Sequence, residues 1–121
     1  VPGALLSIGD GHALQAHGEV TGTAAETSLR GTIEIRVRKG LRLKWPRAET
    51  PTHYITMGLS EDLNEAARQA TREMVDFLST EKGFTRDEAF LLCSLAGDLH
   101  VTQAVDQTQG VHMSIAKSVV R

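Results

Sequence analysis

The sequence predicts an α+β fold with a β-rich N-terminal segment (part of a larger β-structure), two consecutive helices and closing antiparallel strands. Apolar residues recur at helical spacing only in the middle of the chain, whereas the flanking segments are rich in glycine and β-branched residues. Strands and helices follow one another in runs, which favours α+β over a doubly wound sheet. We expect residues 1–50 to form the β-rich segment and residues 51–121 the α+β portion.

The clearest strand pattern of the N-terminal segment is the alternation of apolar and polar side chains over residues 32–38. After Gly40 the alternation continues over residues 41–45, which predicts a hairpin partner. Pro46 and Pro51 then indicate a loop.

Residues 53–57 predict a short strand, and Ser60 is the expected N-cap of a helix that runs to about Thr80. Gly83 supplies the stop for this helix. Its predicted apolar face consists of Leu63, Ala66, Ala67, Ala70, Met74, Phe77 and Leu78.

Thr85 and Glu88 match a capping box that opens a second helix, which we expect to continue to about Leu95 and to end at Gly97. Two closing strands follow in the prediction. They cover residues 101–105 and 111–115, with a polar turn at 107–110.

Composition excludes several classes of function. The net charge is -2 and the charges of both signs are interspersed, so the sequence has no basic stripe for nucleic acid. No apolar run is long enough to cross a membrane. The single cysteine excludes an internal disulfide framework and fits a reducing compartment, so we expect a cytoplasmic protein.

The first residues, Val-Pro-Gly-Ala-Leu-Leu, are apolar and lack an initiator methionine. Such a start is typical of the interior of a domain, which predicts that the chain is a fragment of a longer enzyme. A processed N-terminus is the alternative.

The densest polar cluster spans residues 9–19 and holds two carboxylates, two imidazoles and three glycines. Asp10 and His12 are two positions apart, so in an extended segment their side chains point to the same side. Together with a carboxylate and a bound cation, a histidine can polarise an amide carbonyl, deprotonate water and protonate a leaving nitrogen. From the pattern alone, a glycine-rich turn with solvated His and Asp remains equally open.

The run Gly-Asp-Gly-His-Ala-Leu-Gln at residues 9–15, followed by Gly-Glu at 18–19, resembles the signature segment of the acetamidase/formamidase family. The similarity continues in order through residues 53–58, 89–98, 101–103 and 110–112, and so covers nearly the whole chain. Where the family pattern usually has Gly-Asp, this chain has Ala16 and His17.

The resemblance implies hydrolysis of short linear amides, with release of ammonia and a carboxylate. It places Asp10, His12 and Glu19 among the catalytic residues. In this hypothesis Asp10 and His12 bind a divalent metal, zinc or calcium, or orient water, and Glu19 is the general base. Gln15 and His17 are expected to bind substrate.

The resemblance also implies a longer enzyme with a β-rich N-terminal half. The expected partners are a small amide, the N-terminal part of the same enzyme or a second chain, and other copies of the chain in a homo-oligomer, because strand edges would otherwise be exposed. Two alternatives remain open. One is a non-catalytic or partial subunit of an amidase assembly, and the other is the same fold acting on a cyclic amide.

Other polar residues fit ordinary structural roles. Asp98, His100, Gln103 and Asp106 flank a predicted strand; Asp98 is interpreted as a turn residue and His100 as a surface residue. His112 is interpreted as a strand histidine with its hydrogen bonds satisfied.

A cysteine or serine nucleophile is not indicated. Cys93 lies among leucines of the second helix without a base nearby in sequence, so we expect it to be a small core residue. The sequence also lacks a Gly-x-Ser-x-Gly elbow.

Overall fold

The computed structural model describes residues 3–120, and in them it confirms the α+β fold with antiparallel sheets. The elements are β1 (His12–Leu14), β2 (Ala25–Glu26), β3 (Arg47–Glu49), β4 (His53–Ser60), α1 (Leu63–Glu81), α2 (Arg86–Ala96), β5 (Gly97–Gln103) and β6 (Gln109–Ala116), followed by a short 3-10 helix (Lys117–Val119). None of the helices in this range is long and apolar enough to cross a bilayer.

Four of the strands form one antiparallel sheet in the order β3-β4-β6-β5, and β1 pairs with β2 in a separate two-stranded sheet. Val111, Met113 and Ile115 alternate along β6 and pack into the core with α1. The intervening residues of β6 therefore point to the opposite side of the sheet, which we call the open face. His112 lies on this face, and its cross-strand partner on β5 is His100.

Helix α1 confirms the predicted apolar face. Five of the predicted positions are buried, and Leu63 and Ala67 pack against them at the edge of the core. The N-cap is Asp62 instead of Ser60, because β4 continues through Ser60. The Asp62 carboxylate accepts hydrogen bonds from the backbone N–H groups of Asn64 and Glu65, at 2.7 and 3.3 Å.

The capping box at the start of α2 is confirmed, with both reciprocal hydrogen bonds between Thr85 and Glu88. Gly97 ends this helix as predicted, but β5 begins at the same residue, so no loop separates the two elements. The closing strands are consequently longer than the sequence pattern indicated, and the turn between them lies at residues 104–108.

The strand predicted over residues 32–38, and its hairpin partner over 41–45, are wrong: no strand forms between β2 and β3. Ile33, Ile35 and Val37 are 56%, 68% and 82% exposed. Alternation specifies one apolar face, but a strand also needs a neighbour for its backbone groups and a surface to cover that face. In the described residues neither is present.

Strand β4 and helix α1 approach so closely that β4 requires small residues at the contact. Gly58 faces α1, and a Cβ at this position would overlap the carbonyl oxygen of Ala66. One step along the same strand face, the Thr56 hydroxyl donates a hydrogen bond of 2.7 Å to the carbonyl oxygen of Ala70. The sheet and the helix are therefore held together at this point by a close backbone approach at Gly58 and a side-chain-to-backbone hydrogen bond from Thr56.

Replacing Gly58 by alanine should lower the free energy of unfolding by about 1–3 kcal/mol, because the added methyl group forces β4 and α1 apart. The matched control is Gly31→Ala, where a Cβ meets no atom within 4 Å. Denaturant unfolding of both variants checks the difference, and equal stability of the two would contradict the close approach.

Candidate active site

The polar segment at residues 9–19 is held against the four-stranded sheet by the backbone of Gly18. Its N–H donates to the carbonyl oxygen of Val101 at 2.7 Å, and its carbonyl oxygen accepts from the N–H of Ala104 at 2.9 Å. Strand β5 is one of the two edge strands, so the two bonds use backbone groups in β5 and just after it that the sheet leaves free. Gly18 is buried with φ of 90°, a conformation that strongly favours glycine.

Pairing of β1 with β2 brings Glu26 opposite His12. Next to this pair, the N–H of Thr27 donates to the carbonyl oxygen of Gly11 at 2.8 Å. A Cβ at Gly11 would lie 2.5 Å from the carbonyl oxygen of Thr27, so only glycine lets the two segments approach this closely.

His12 stands at the centre of the resulting polar cluster. Its Nε2 lies 3.1 Å from a carboxylate oxygen of Asp10 and 3.2 Å from one of Glu26. On the other side of the ring, Nδ1 lies 3.1 Å from Oε1 of Gln15. The His12 side chain is 21% exposed, whereas both carboxylates reach solvent.

The electrostatics of this cluster favour positive charge at His12. The Gln15 carbonyl oxygen accepts from the ring and, with the carboxylates of Glu26 and Asp10, raises the pKa of His12 above its ordinary value against the opposing effect of burial. Although two carboxylate oxygens are near, Nε2 is buried and has no hydrogen bond of acceptable geometry. The three donor atoms lie within 4.8 Å of one another, which is compatible with a shared metal ion.

Backbone strain marks two of the predicted catalytic residues. Among the described residues, the non-glycine residues with positive φ are Asp10, at 62°, and Glu19, at 42°. Such conformations cost about 1–2 kcal/mol for a non-glycine residue, and they concentrate at functional sites. This observation is independent of the sequence pattern that singled out the two residues.

The structure thus brings together Asp10, His12 and Gln15 but not all of the predicted site. Glu19 is half-buried and lies outside the cluster formed around His12, and so does His17. Gln15 contacts the ring of His12. Sequence reasoning missed Glu26, because only the pairing of β1 with β2 places this residue beside His12.

His17 instead belongs to a second cluster, which we call the histidine cluster, formed by His17, His100 and His112. The ring centroids of His17 and His100 are 4.6 Å apart, those of His100 and His112 are 4.9 Å apart, and those of His17 and His112 are 5.8 Å apart. The interpretation of His100 as a plain surface residue is therefore wrong, because it is half-buried between two other imidazoles. His112 was interpreted as hydrogen-bonded, yet its partners in the described residues are aromatic rings.

Cys93 is a core residue, as the sequence indicated. It is 4% exposed, and burial raises the pKa of its thiol to about 11. A thiol in this state carries almost no thiolate at neutral pH and is a poor nucleophile.

Replacing Glu19 by glycine should not destabilise the protein. Relief of the positive φ offsets the backbone entropy of glycine, so we expect a gain of about 0–1 kcal/mol in the free energy of unfolding. The control Glu61→Gly, at a residue without positive φ, should lose about 0.4–1 kcal/mol, because glycine gives the unfolded chain more conformational freedom. Equal losses for the two variants in denaturant unfolding would show that Glu19 is not strained.

Native protein should resist alkylation of Cys93 by iodoacetamide at about pH 8, since the thiol is buried and its pKa lies near 11. Reaction should become rapid once denaturant is added. The matched control moves the thiol by one position, in the double variant Cys93→Ala, Ser94→Cys, because Ser94 is exposed. Mass spectrometry measures the alkylation rate of the native protein and of the control variant. Modification of native Cys93 at the rate of the control would refute its assignment as a buried core residue.

Comparison with known proteins supplies the family. The profile described as "Acetamidase/Formamidase family" matches residues 1–118. An acetamidase from Yersinia enterocolitica is similar with 31% identity and a TM-score of 0.88, over 91% of this chain and 33% of that chain. An acetamidase from Bacillus halodurans shares 32% identity with a TM-score of 0.78, over 89% of this chain and 37% of that one.

A predicted acetamidase/formamidase from Thermoanaerobacter tengcongensis is 25% identical with a TM-score of 0.78, over 89% of this chain and 36% of that one. No significant match was found among curated proteins. The chain spans about a third of the length of the solved structures it resembles. Both the family profile and the shared fold extend over nearly all of the chain, which therefore belongs to the acetamidase/formamidase family.

Proposed function

We propose that the chain carries the polar centre of a metal-dependent hydrolase that cleaves the carbon–nitrogen bond of short linear amides, of the formamide and acetamide type. The observation that carries this proposal is the environment of His12 Nε2, which faces two carboxylate oxygens without a hydrogen bond. Family membership supports the reaction class.

The hydrogen bond to Gln15 explains why this environment calls for a cation. A carboxamide oxygen only accepts, so Nδ1 of His12 is the donor in that contact. In neutral His12, Nε2 then presents its lone pair to the oxygens of Asp10 and Glu26. This arrangement is repulsive unless a proton or a metal ion lies between the three atoms.

The distances in the donor set are also compatible with a metal ion. Ligands of a tetrahedral zinc at about 2.0–2.1 Å lie about 3.3 Å apart, close to the observed 3.1 and 3.2 Å. An imidazole is an ordinary zinc ligand, whereas calcium takes oxygen ligands. Of the two expected metals, the donor set therefore favours zinc, held by Asp10, His12 and Glu26.

Gln15 acquires a different role from the substrate binding that the resemblance implied. A histidine that binds a metal commonly donates its second ring N–H to an oxygen acceptor, which fixes the ring and its tautomer. Oxygen Oε1 of Gln15 is that acceptor here. Gln15 is thus a positioning residue for His12 in this proposal.

A zinc ion at this position would lower the pKa of water to about 7 and polarise the substrate carbonyl. Glu19 is proposed as the general base, which removes a proton from the attacking water as the oxygen–carbon bond forms. The same carboxyl group then gives the proton to the nitrogen as the carbon–nitrogen bond breaks, so the products are ammonia and a carboxylic acid, which then ionises to the carboxylate.

We propose that further chain segments complete a pocket around these groups. Leu29, Ile33, Ile35 and Val37 lie exposed on the irregular stretch between β2 and β3. We propose that the remaining two thirds of a family-length enzyme, or another chain, pairs with and covers this stretch. A homo-oligomer is one arrangement that would supply the cover.

Asp10→Asn and Glu26→Gln should each reduce metal content and lower amide hydrolysis by at least roughly 100-fold, because each removes one anionic ligand without changing side-chain size. Asp106→Asn and Glu61→Gln, at exposed residues outside the cluster, are the matched controls. The assay measures ammonia from formamide and acetamide with the complete protein, before and after chelator and after zinc is restored.

Unchanged activity in the two site variants, with their folding intact, would refute the assignment of the ligands. A complete, zinc-loaded protein that releases no ammonia from short amides would favour the alternatives, a non-catalytic subunit or a hydrolase of cyclic amides.

A further inference from the structure

We propose that the histidine cluster is a second binding site for a divalent transition metal of the zinc type, with His17, His100 and His112 as ligands. It shares no residue with the centre around His12. The inference does not depend on the amidase reaction, since it concerns metal binding alone.

Strand pairing and the Gly18 hydrogen bonds place the three imidazoles near one another. His100 and His112 are directly paired across β5 and β6 and point to the open face of the sheet. His17 comes from a separate segment, and the two backbone hydrogen bonds of Gly18 fix it beside the edge of β5. Two ligands from neighbouring strands are rigidly spaced, and the third comes from a segment attached to the same sheet.

The spacing of the rings matches what one metal ion requires. A zinc bound to nitrogen at about 2.0–2.1 Å lies about 3.2 Å from the ring centroid, so the centroids of ligating imidazoles in a tetrahedron are about 5.2 Å apart. The observed centroid distances are 4.6, 4.9 and 5.8 Å. In the observed rotamers the ring nitrogens of the three histidines do not form a group as close as the one around His12, so a shared ion requires side chains to turn.

Only the orientation of the rings has to change. The rings of His17 and His100 are stacked at 27°, so ligation requires at least one of them to turn about its side-chain bonds. His17 is exposed and has room to turn. Among the described residues, none donates a hydrogen bond to these rings or accepts one from them.

Three imidazoles with an open fourth position are a known arrangement of zinc ligands in proteins.

Metal stoichiometry of the complete protein tests the proposal. The protein is stripped with chelator, titrated with zinc or cobalt and analysed for metal per chain, and the cobalt absorption spectrum reports imidazole ligation. We expect two equivalents in the unaltered protein. His100→Asn and His112→Asn should weaken the second equivalent by at least about 10–100-fold and leave the first in place.

The matched control is His53→Asn, since His53 belongs to neither cluster and contacts Thr52. It should bind two equivalents, whereas Asp10→Asn should lose the other equivalent and keep the cobalt spectrum of the histidine cluster. Should a strand variant fail to fold, His17→Asn provides the same measurement at an exposed residue.

A single equivalent in the unaltered protein, abolished by Asp10→Asn, would overturn the proposal. Two equivalents that survive every substitution in the histidine cluster would overturn it as well. Neither result depends on hydrolysis, so a failure of the amidase proposal would be seen separately in the ammonia assay.

Discussion

The two backbone hydrogen bonds of Gly18 are the constraint on which the arrangement of polar groups depends. They attach a glycine-rich segment with little regular structure to the edge of the four-stranded sheet. His17 and Glu19, on either side of Gly18, are positioned by the same two bonds. The sheet packs closely against α1 through β4, so a buried core lies beneath a segment that contributes no residue to the core cluster.

The centre around His12 is arranged at a cost to folding. Its carboxylates face the imidazole nitrogen without hydrogen bonds, and two residues of the signature segment, Asp10 and Glu19, have positive φ. Selection for stability alone would favour glycine or asparagine at such positions. In the proposed function, a cation bound by these three groups would balance the two carboxylates. Backbone strain and unsatisfied polarity both support the proposed site in this segment.

Local signals predicted the helical part of the fold, and topology decided the rest. The capping box of α2 and the apolar face of α1 involve residues three or four apart, so the sequence alone specifies them. Glu26 joins His12, and His100 joins His112, only through strand pairing, which no short motif encodes. The failed strand at residues 32–38 shows the converse, because its alternation is genuine but no neighbour in the described residues pairs with it. The sequence therefore predicted the site residues that lie in one contiguous segment, but not Glu26, which comes from another segment.

The central claim is that Asp10, His12 and Glu26 converge on a metal ion. Anomalous diffraction at the zinc absorption edge, from crystals of the complete protein, tests it most directly. The account predicts an anomalous peak at about 2.0–2.1 Å from Nε2 of His12 and from an oxygen of each carboxylate. Zinc-supplied crystals without a peak at this position, with Nε2 hydrogen-bonded to a carboxylate instead, would contradict it.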